Sequence, residues 1–328
     1  MKSRNLVNVV LVVIFLSVFS FVSFATDFPT KDIRMICPWA SGGGCDAITR
    51  VIGKIAEKSI PTSIYVENIE GGLSGVGLYE VMSAKPDGYN IGSFSYDSIV
   101  TVPRKDLVPG YSLDKVKMIC LITEEAGAMV VKADARWKNW EEFAAEAKEK
   151  PGKISVGVDG IGNAQHLRLL KIKEVTGLDF KVLPYPGGSG EKKEALLSGE
   201  ADAIMTSLGD FAPLIHSGDV RGLIEMSDKR NPQFNDVPNF KELGYEGLIK
   251  GSFIILATTA GTPDDVVEKL EKMYYDAHHS DEFRDWALNT GVVATWKGTD
   301  EVEKYAMQVQ KDEFDMIQKL VDQGVIEN

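Results

Sequence analysis

The chain is poor in the residues that carry most catalytic and metal chemistry. Three cysteines and four histidines are spread over 328 residues, which excludes a disulfide framework. Cys37, Cys45 and Cys120 show no CxxC or His-x-Cys spacing, so no metal site is expected. They read as buried free thiols, with a Cys37–Cys45 bridge as the alternative. There is no HExxH and no paired-carboxylate signature, and no cofactor motif is intact. Basic residues are outnumbered: 36 Lys and Arg against 48 Asp and Glu give a formal net charge of -12. That sign repels phosphate backbones and argues against nucleic-acid partners. Repeats and low-complexity segments are absent. Beyond the N-terminus no stretch is long and apolar enough to cross a bilayer.

What is present is a globular composition, 44% hydrophobic and 26% charged, long enough for two domains. Lys2 and Arg4 precede an uncharged run over 5–26 that closes on Ser23-Phe24-Ala25. This pattern predicts a secretory signal over residues 1–25, cleaved after Ala25. The alternative is an uncleaved anchor, since the run can span a membrane. No Cys follows the run, so a lipid anchor is not supported.

Short apolar runs predict strands at 33–37, 64–67, 90–94, 116–122, 128–131, 154–158, 180–183, 203–205, 221–225 and 252–257. Amphipathic stretches predict helices at 46–58, 75–83, 140–149, 163–176, 191–198, 211–216, 264–278, 281–289 and 299–320. The alternation predicts parallel α/β sheets covered on both faces. Crossings near 122–131 and 227–241 divide the chain into two lobes around a cleft. Lobe 1 is expected over 26–127 and 228–328, and lobe 2 over 128–227.

Three Gly-rich turns each open a helix. The first is Pro38-Trp39-Ala40-Ser41-Gly42-Gly43-Gly44-Cys45-Asp46. Three consecutive glycines leave backbone N–H groups unshielded at a helix start, which makes an anion site. The competing reading is a tight turn that needs only positive φ. The second turn, Asp159-Gly160-Ile161-Gly162-Asn163-Ala164-Gln165-His166, begins a GxGxxG that Gln165 breaks. The third, Pro184-Tyr185-Pro186-Gly187-Gly188-Ser189-Gly190, misses the phosphate-loop pattern because Glu191 stands at the Lys position. Of the histidines, only His166 adjoins a Gly-rich turn; it lines the pocket or packs locally. Ser74 resembles a nucleophile elbow, but Val76 breaks GxSxG. Asp46 reads as a helix cap, with pairing to a ligand amine as the alternative.

Taken in order, these motifs resemble the receptors of tripartite tricarboxylate transporters, the Bug family. The resemblance rests on the 28–46 segment, Val66-Glu67-Asn68 with Gly71, Gly72, Gly75 and Gly77, and Lys85-Pro86-Asp87-Gly88-Tyr89. It continues through Pro151-Gly152-Lys153, the Gly160–Leu167 turn, Pro184-Tyr185, Gly199-Glu200-Ala201-Asp202-Ala203, Asp236-Val237-Pro238, Lys241-Glu242-Leu243-Gly244 and Gly261-Thr262-Pro263. It implies a periplasmic protein of the two-lobed type II binding-protein (Venus flytrap) fold, with no catalytic residue, metal or cofactor. A small carboxylate would be held largely by backbone amides and water at the first and fourth strand–helix turns, then passed to membrane permease subunits. The ligand classes it admits are di- and tricarboxylates, amino acids and aromatic acids. The implied ligand-binding set is Trp39, Ala40, Ser41, Gly42, Gly43, Gly44, Asp46, Ser95, Tyr96, Gly160, Gly162, Asn163, His166, Tyr185, Gly188 and Ser207.

Cys45, Tyr96, Asp97, Asp159 and the 251–255 segment depart from the family pattern, which bears on the ligand rather than the fold. Two other functions are kept beside the receptor reading: a secreted α/β hydrolase-like enzyme, and a ligand-sensing partner of a signalling system.

Overall fold

The structure is a computed structural model that describes residues 28–186, 188–227, 229–245, 251–322 and 324. The expected signal segment 1–25 and Gly187 of the third turn lie outside the described residues.

A six-stranded sheet has the order β11-β4-β10-β3-β1-β2. Its strands are β1 (Ile33–Cys37), β2 (Ile64–Asn68), β3 (Asn90–Phe94), β4 (Val116–Glu125), β10 (Ser252–Thr259) and β11 (Ala294–Lys297). A five-stranded sheet has the order β7-β6-β8-β5-β9, built from β5 (Ala128–Lys132), β6 (Ser155–Val158), β7 (Lys181–Pro184), β8 (Ala203–Thr206) and β9 (Val220–Glu225).

Both sheets are mixed, which differs from the expected parallel arrangement. β1 runs parallel to β2 and β3, and β6 parallel to β7 and β8. β10 is antiparallel to β3 and β4, and β5 is antiparallel to β8 and β9. β11 is antiparallel to β4 as well; of the reversed strands, β5 and β10 are those beside the passages between sheets, where the chain enters from the opposite end. Hydrophobicity reports burial but not direction, so the pattern could not show it.

Alternation along the strands sends side chains to separate cores on the two faces. In β1, Ile33 and Met35 join one cluster while Ile36 joins another. The first cluster is covered by α1 (Gly44–Ala56), through Ile48, Ile52 and Ile55, and by α9 (Asp264–His278), through Leu270, Met273 and Tyr274. The second is covered by α2 (Gly75–Ser83) and by the long α11 (Thr299–Asp322). In the other sheet, Met129 and Val131 face one core and Ala128 and Val130 the other. Two short helices not foreseen in the sequence, α3 (Tyr96–Ile99) and α4 (Thr101–Lys105), follow β3. The remaining helices are α5 (Trp140–Glu149), α6 (Ala164–Thr176), α7 (Ser189–Ser198), α8 (Ala212–His216) and α10 (Asp281–Thr290).

The chain leaves the first sheet through Ala126-Gly127. The Met226 amide donates to the Gly127 carbonyl at 2.6 Å, so the outward and returning strands meet there. The return lies further along than expected. Phe240, Leu243 and Tyr245 pack in one core of the five-stranded sheet, and Phe234 and Val237 in the other. The segment after 228 therefore stays with the second sheet up to Tyr245.

Candidate functional site

Because β1, β2 and β3 are mutually parallel, the turns at their C-terminal ends open on one side of the first sheet. β6, β7 and β8 do the same for the second. Such strand ends form the crevice where open α/β sheets bind ligands. The two sets of turns face each other. A Cβ on Gly44, at the start of α1, would lie 2.7 Å from Asp210 Oδ1 beyond β8. Lys105 Nζ of α4 donates to the Ile161 carbonyl at 3.1 Å. Ala164 and Leu167 of α6 are packed in the same hydrophobic cluster as Tyr96, Ile99 and Phe253.

The first turn is stiff because side chains occupy several of its polar groups. Gly42, at φ +83°, donates its amide to Asp46 Oδ2 at 2.9 Å, and the Gly43 amide goes to the Ala40 carbonyl at 3.3 Å. Asn68 Nδ2 donates to Asp46 Oδ1 at 2.8 Å and to the Trp39 carbonyl at 2.9 Å, tying the turn to β2. Arg50 Nε adds an ion pair to Asp46 at 2.9 Å. Against the cost of burial, the Arg50 bond, the Gly42 amide and Asn68 pull the Asp46 carboxyl below its ordinary range. Asp46 thus braces the turn before the helix and is not its cap, which is Gly43 with no side-chain capping bond. Gly42 and Gly43 spend their amides inside the turn, whereas those of Gly44 and Cys45 donate to no described residue. These are the orphan donors of a helix start, aimed at the crevice.

The second turn repeats the plan. Gly162, at φ +77°, donates its amide to His166 Nδ1 at 2.9 Å, so the His166 proton sits on Nε2. Burial and then Lys105 push the His166 pKa down, which keeps the ring neutral. Asn163 caps α6 by accepting from the His166 amide at 3.1 Å. The amides of Ala164 and Gln165 donate to no described residue. Asp159 pairs with Lys192 Nζ at 2.5 Å, and that lysine side chain is 1% exposed.

The other expected residues divide. Ser95 caps α3 and shares a hydroxyl cluster with Ser98 and Ser74. Tyr96 is buried and donates its hydroxyl to Glu313 Oε2 of α11 at 2.8 Å. Ser207 accepts from the Asp210 amide at 3.2 Å and bonds Glu125. Gly188 opens α7, whose Ser189 donates to Asp210 Oδ2 at 3.1 Å. Tyr185 stands apart: its ring packs against Gly157 and its hydroxyl donates to Glu200 at 3.1 Å, behind the sheet. It borders a groove of about 360 Å³ lined by Glu191, Glu194 and Glu200, whose charge does not suit an anion.

Sequence reasoning missed four charged residues at the crevice: Arg168, Lys192, Glu125 and Asp210. Arg168 is fully buried on α6, where Asp97, Asp159, Tyr96 and Glu313 interact with it electrostatically. Burial, then Asp210, pushes Glu125 up to about 7, and burial pushes Asp97 up to about 6. None of the four lies in a Gly-rich turn, and no local pattern separates them from surface charges. Among the described residues no cluster of His, Cys, Asp and Glu fits a metal ion.

Comparison with known proteins identifies the family and the fold. Residues 48–321 match the family described as "Tripartite tricarboxylate transporter family receptor". A protein of Cupriavidus necator described as "UPF0065 protein in gbd 5'region" is 29% identical, over 90% of this chain and 89% of its own length. The solved structure of the periplasmic binding protein BugD is 26% identical with a TM-score of 0.79, covering 89% of this chain and 98% of that one. MatC from Rhodopseudomonas palustris, solved with bound malate, shares the fold at 22% identity and a TM-score of 0.76, covering 87% of this chain and 98% of that one. Members of this family are periplasmic solute-binding proteins and not enzymes. The chain belongs to the tripartite tricarboxylate transporter receptor family.

Proposed function

We propose that this receptor captures a small carboxylate between its lobes and delivers it to the membrane permease subunits of a tripartite tricarboxylate transporter. Lobe 1 comprises residues 26–127 and the C-terminal part from β10 onward; lobe 2 comprises 128–245. The lobes hinge where the Met226 amide meets the Gly127 carbonyl. Residues 1–25 direct export and are removed after Ala25.

One observation supports the reading: each lobe carries a helix start beside residues of the other lobe, Gly44 by Asp210 and Ile161 by Lys105, with the amides of Gly44 and Cys45 on one side and of Ala164 and Gln165 on the other donating to no described residue. A carboxylate at each end of a small molecule satisfies both without a counter-ion. The bound malate of MatC is such a molecule. Of the ligand-binding set expected from the sequence, Tyr185 is left out, and Gly42, Gly43, Gly162, Asp46 and Tyr96 act by holding the turns and helices around the ligand rather than by bonding it.

A second ligand class is favoured by the acids near the crevice. Glu125 and Asp210 lie beside Ser207, and an ammonium group on the ligand would meet them there. A thermal-shift screen of dicarboxylates, tricarboxylates, amino acids and aromatic acids tests both. A ligand at a hundred times its Kd adds about 2.7 kcal/mol of stability. Stabilisation by succinate or malate supports the first class, stabilisation by amino acids alone supports the second, and no shift with any carboxylate overturns the reading.

A further inference from the structure

Two of the three thiols lie together beneath the first Gly-rich turn. Cys37 ends β1, Cys45 stands in the first turn of α1, and their Sγ atoms are 3.7 Å apart. Residues 38–44, the turn itself, connect them. Cys37 is fully buried and Cys45 is partly exposed. Cys120 is fully buried elsewhere in the same sheet.

We infer that Cys37 and Cys45 form a redox modification site, closing into a disulfide by exchange with a disulfide-bearing oxidant and moving the ligand turn as they close. The family works in the periplasm, where oxidants of that class act. In the first step the Cys45 thiolate attacks one sulfur of the oxidant's disulfide. The oxidant's S–S bond breaks, one of its thiolates leaves, and that thiolate takes up the proton Cys45 gave up. In the second step the Cys37 thiolate attacks Cys45 Sγ and expels the second oxidant thiolate, which takes the Cys37 proton. Two protein thiols become one disulfide and the oxidant's disulfide becomes two thiols.

A disulfide holds its sulfurs about 2 Å apart, so they must come closer than the 3.7 Å seen here, and whatever side-chain rotation does not supply must come from the backbone. Cys37 cannot travel far: it is paired with Asn68 in the sheet, and its carbonyl accepts from the Ile69 amide at 3.0 Å. The approach therefore falls on the start of α1 and displaces the Gly44 and Cys45 amides. The contact with Cys45 draws the Cys37 thiol pKa down, while the same contact and burial hold Cys45 well above its ordinary value. Cys37 is thus suited to the resolving step, and formation of the Cys45 thiolate limits the rate.

The test uses the mature full-length chain in glutathione buffers of graded redox ratio, quenched by alkylation, with thiols counted after unfolding. Oxidation should lower the count from three to one and yield a peptide pair joined through Cys37 and Cys45. The rate should rise about tenfold per pH unit below the thiol pKa. Cys37→Ser should stop at a glutathione adduct on Cys45. Three thiols remaining in the native chain, or an adduct that never resolves, would overturn the site. Hydrogen exchange of the reduced and oxidised native chain reads the second half without any variant. Exchange should change at the amides of 38–46 and not at 159–166. Identical exchange in both forms would show that the bond does not move the turn.

Discussion

The two Gly-rich turns solve one problem with different chemistry. In each, a positive-φ glycine gives its amide to a side chain four residues on, Gly42 to Asp46 and Gly162 to His166. In each, an extended cap residue follows, Gly43 or Asn163, and the helix begins. In lobe 1 the acceptor is a carboxylate held low by its partners, and in lobe 2 a neutral imidazole. The acid of the second turn, Asp159, is instead neutralised by buried Lys192. Preorganising helix-start donors therefore needs an acceptor at that offset but no particular charge. Both acceptors lose their contribution as the pH falls, His166 below its ordinary 6.5 and Asp46 only below its ordinary 3.8.

The largest effect that would break this comparison is expected at Asp159. Asp159→Asn leaves the Lys192 ammonium buried without its carboxylate and should cost about 3 kcal/mol in urea unfolding. Lys192→Met in the same chain should recover most of it. Asp46→Ala removes the acceptor for Gly42, Asn68 and Arg50; since Arg50 is half exposed and rehydrates, about 2 kcal/mol is expected.

Next comes Gly44→Ala. Its Cβ meets Asp210 across the crevice, whereas a Cβ on Gly43 meets only the Ala40 carbonyl at an ordinary 3.4 Å. Gly44→Ala should weaken ligand binding about tenfold, or 1.4 kcal/mol, by calorimetric titration, and Gly43→Ala much less. Equal losses would place the close approach within the turn rather than between the lobes.

The smallest effect separates the lobes by pH. The folded pKa of His166 lies below its ordinary 6.5, so its contribution is full above 6.5 and is lost as pH falls through the folded value. His166→Ala should cost about 1 kcal/mol at neutral pH and less in acid. Glu125 has the opposite sign: raised from 4.5 to about 7, it favours folding below 4.5 and loses that contribution as pH rises to about 7. Stability curves of His166→Ala and its parent should therefore be compared in a Glu125→Gln background, where the other acid-range groups, Asp97 and His278 among them, are common to both and cancel in the difference.

Much of this site was legible in the sequence because helix starts have local signatures. Three glycines before an amphipathic run marked the first turn, and Gly160 and Gly162 before Asn163 marked the second. Asp46 was expected to cap the helix from its place in the first turn, whereas it accepts the Gly42 amide outside the helix. The facing residues were not legible: Asp210 meets Gly44 and Glu125 meets Ser207 through tertiary contact alone. Tyr185 was placed at the site through resemblance, yet its ring packs where Gly157 leaves room and its hydroxyl goes to Glu200. The fold failed to show itself at β5 and β10, whose direction depends on where the chain crosses, and at β11, a four-residue strand half exposed beside two helices.

The central claim is that unpaired amides at two facing helix starts hold the ligand's carboxylates. Amide resonances of the labelled mature chain test it directly, recorded with and without a carboxylate that stabilises the protein. The account predicts the largest shifts at Gly44 and Cys45 in lobe 1 and at Ala164 and Gln165 in lobe 2, with Gly42 and Gly162 little changed because their amides are already bonded. Saturation with the ligand that leaves Gly44, Cys45, Ala164 and Gln165 unshifted would contradict it.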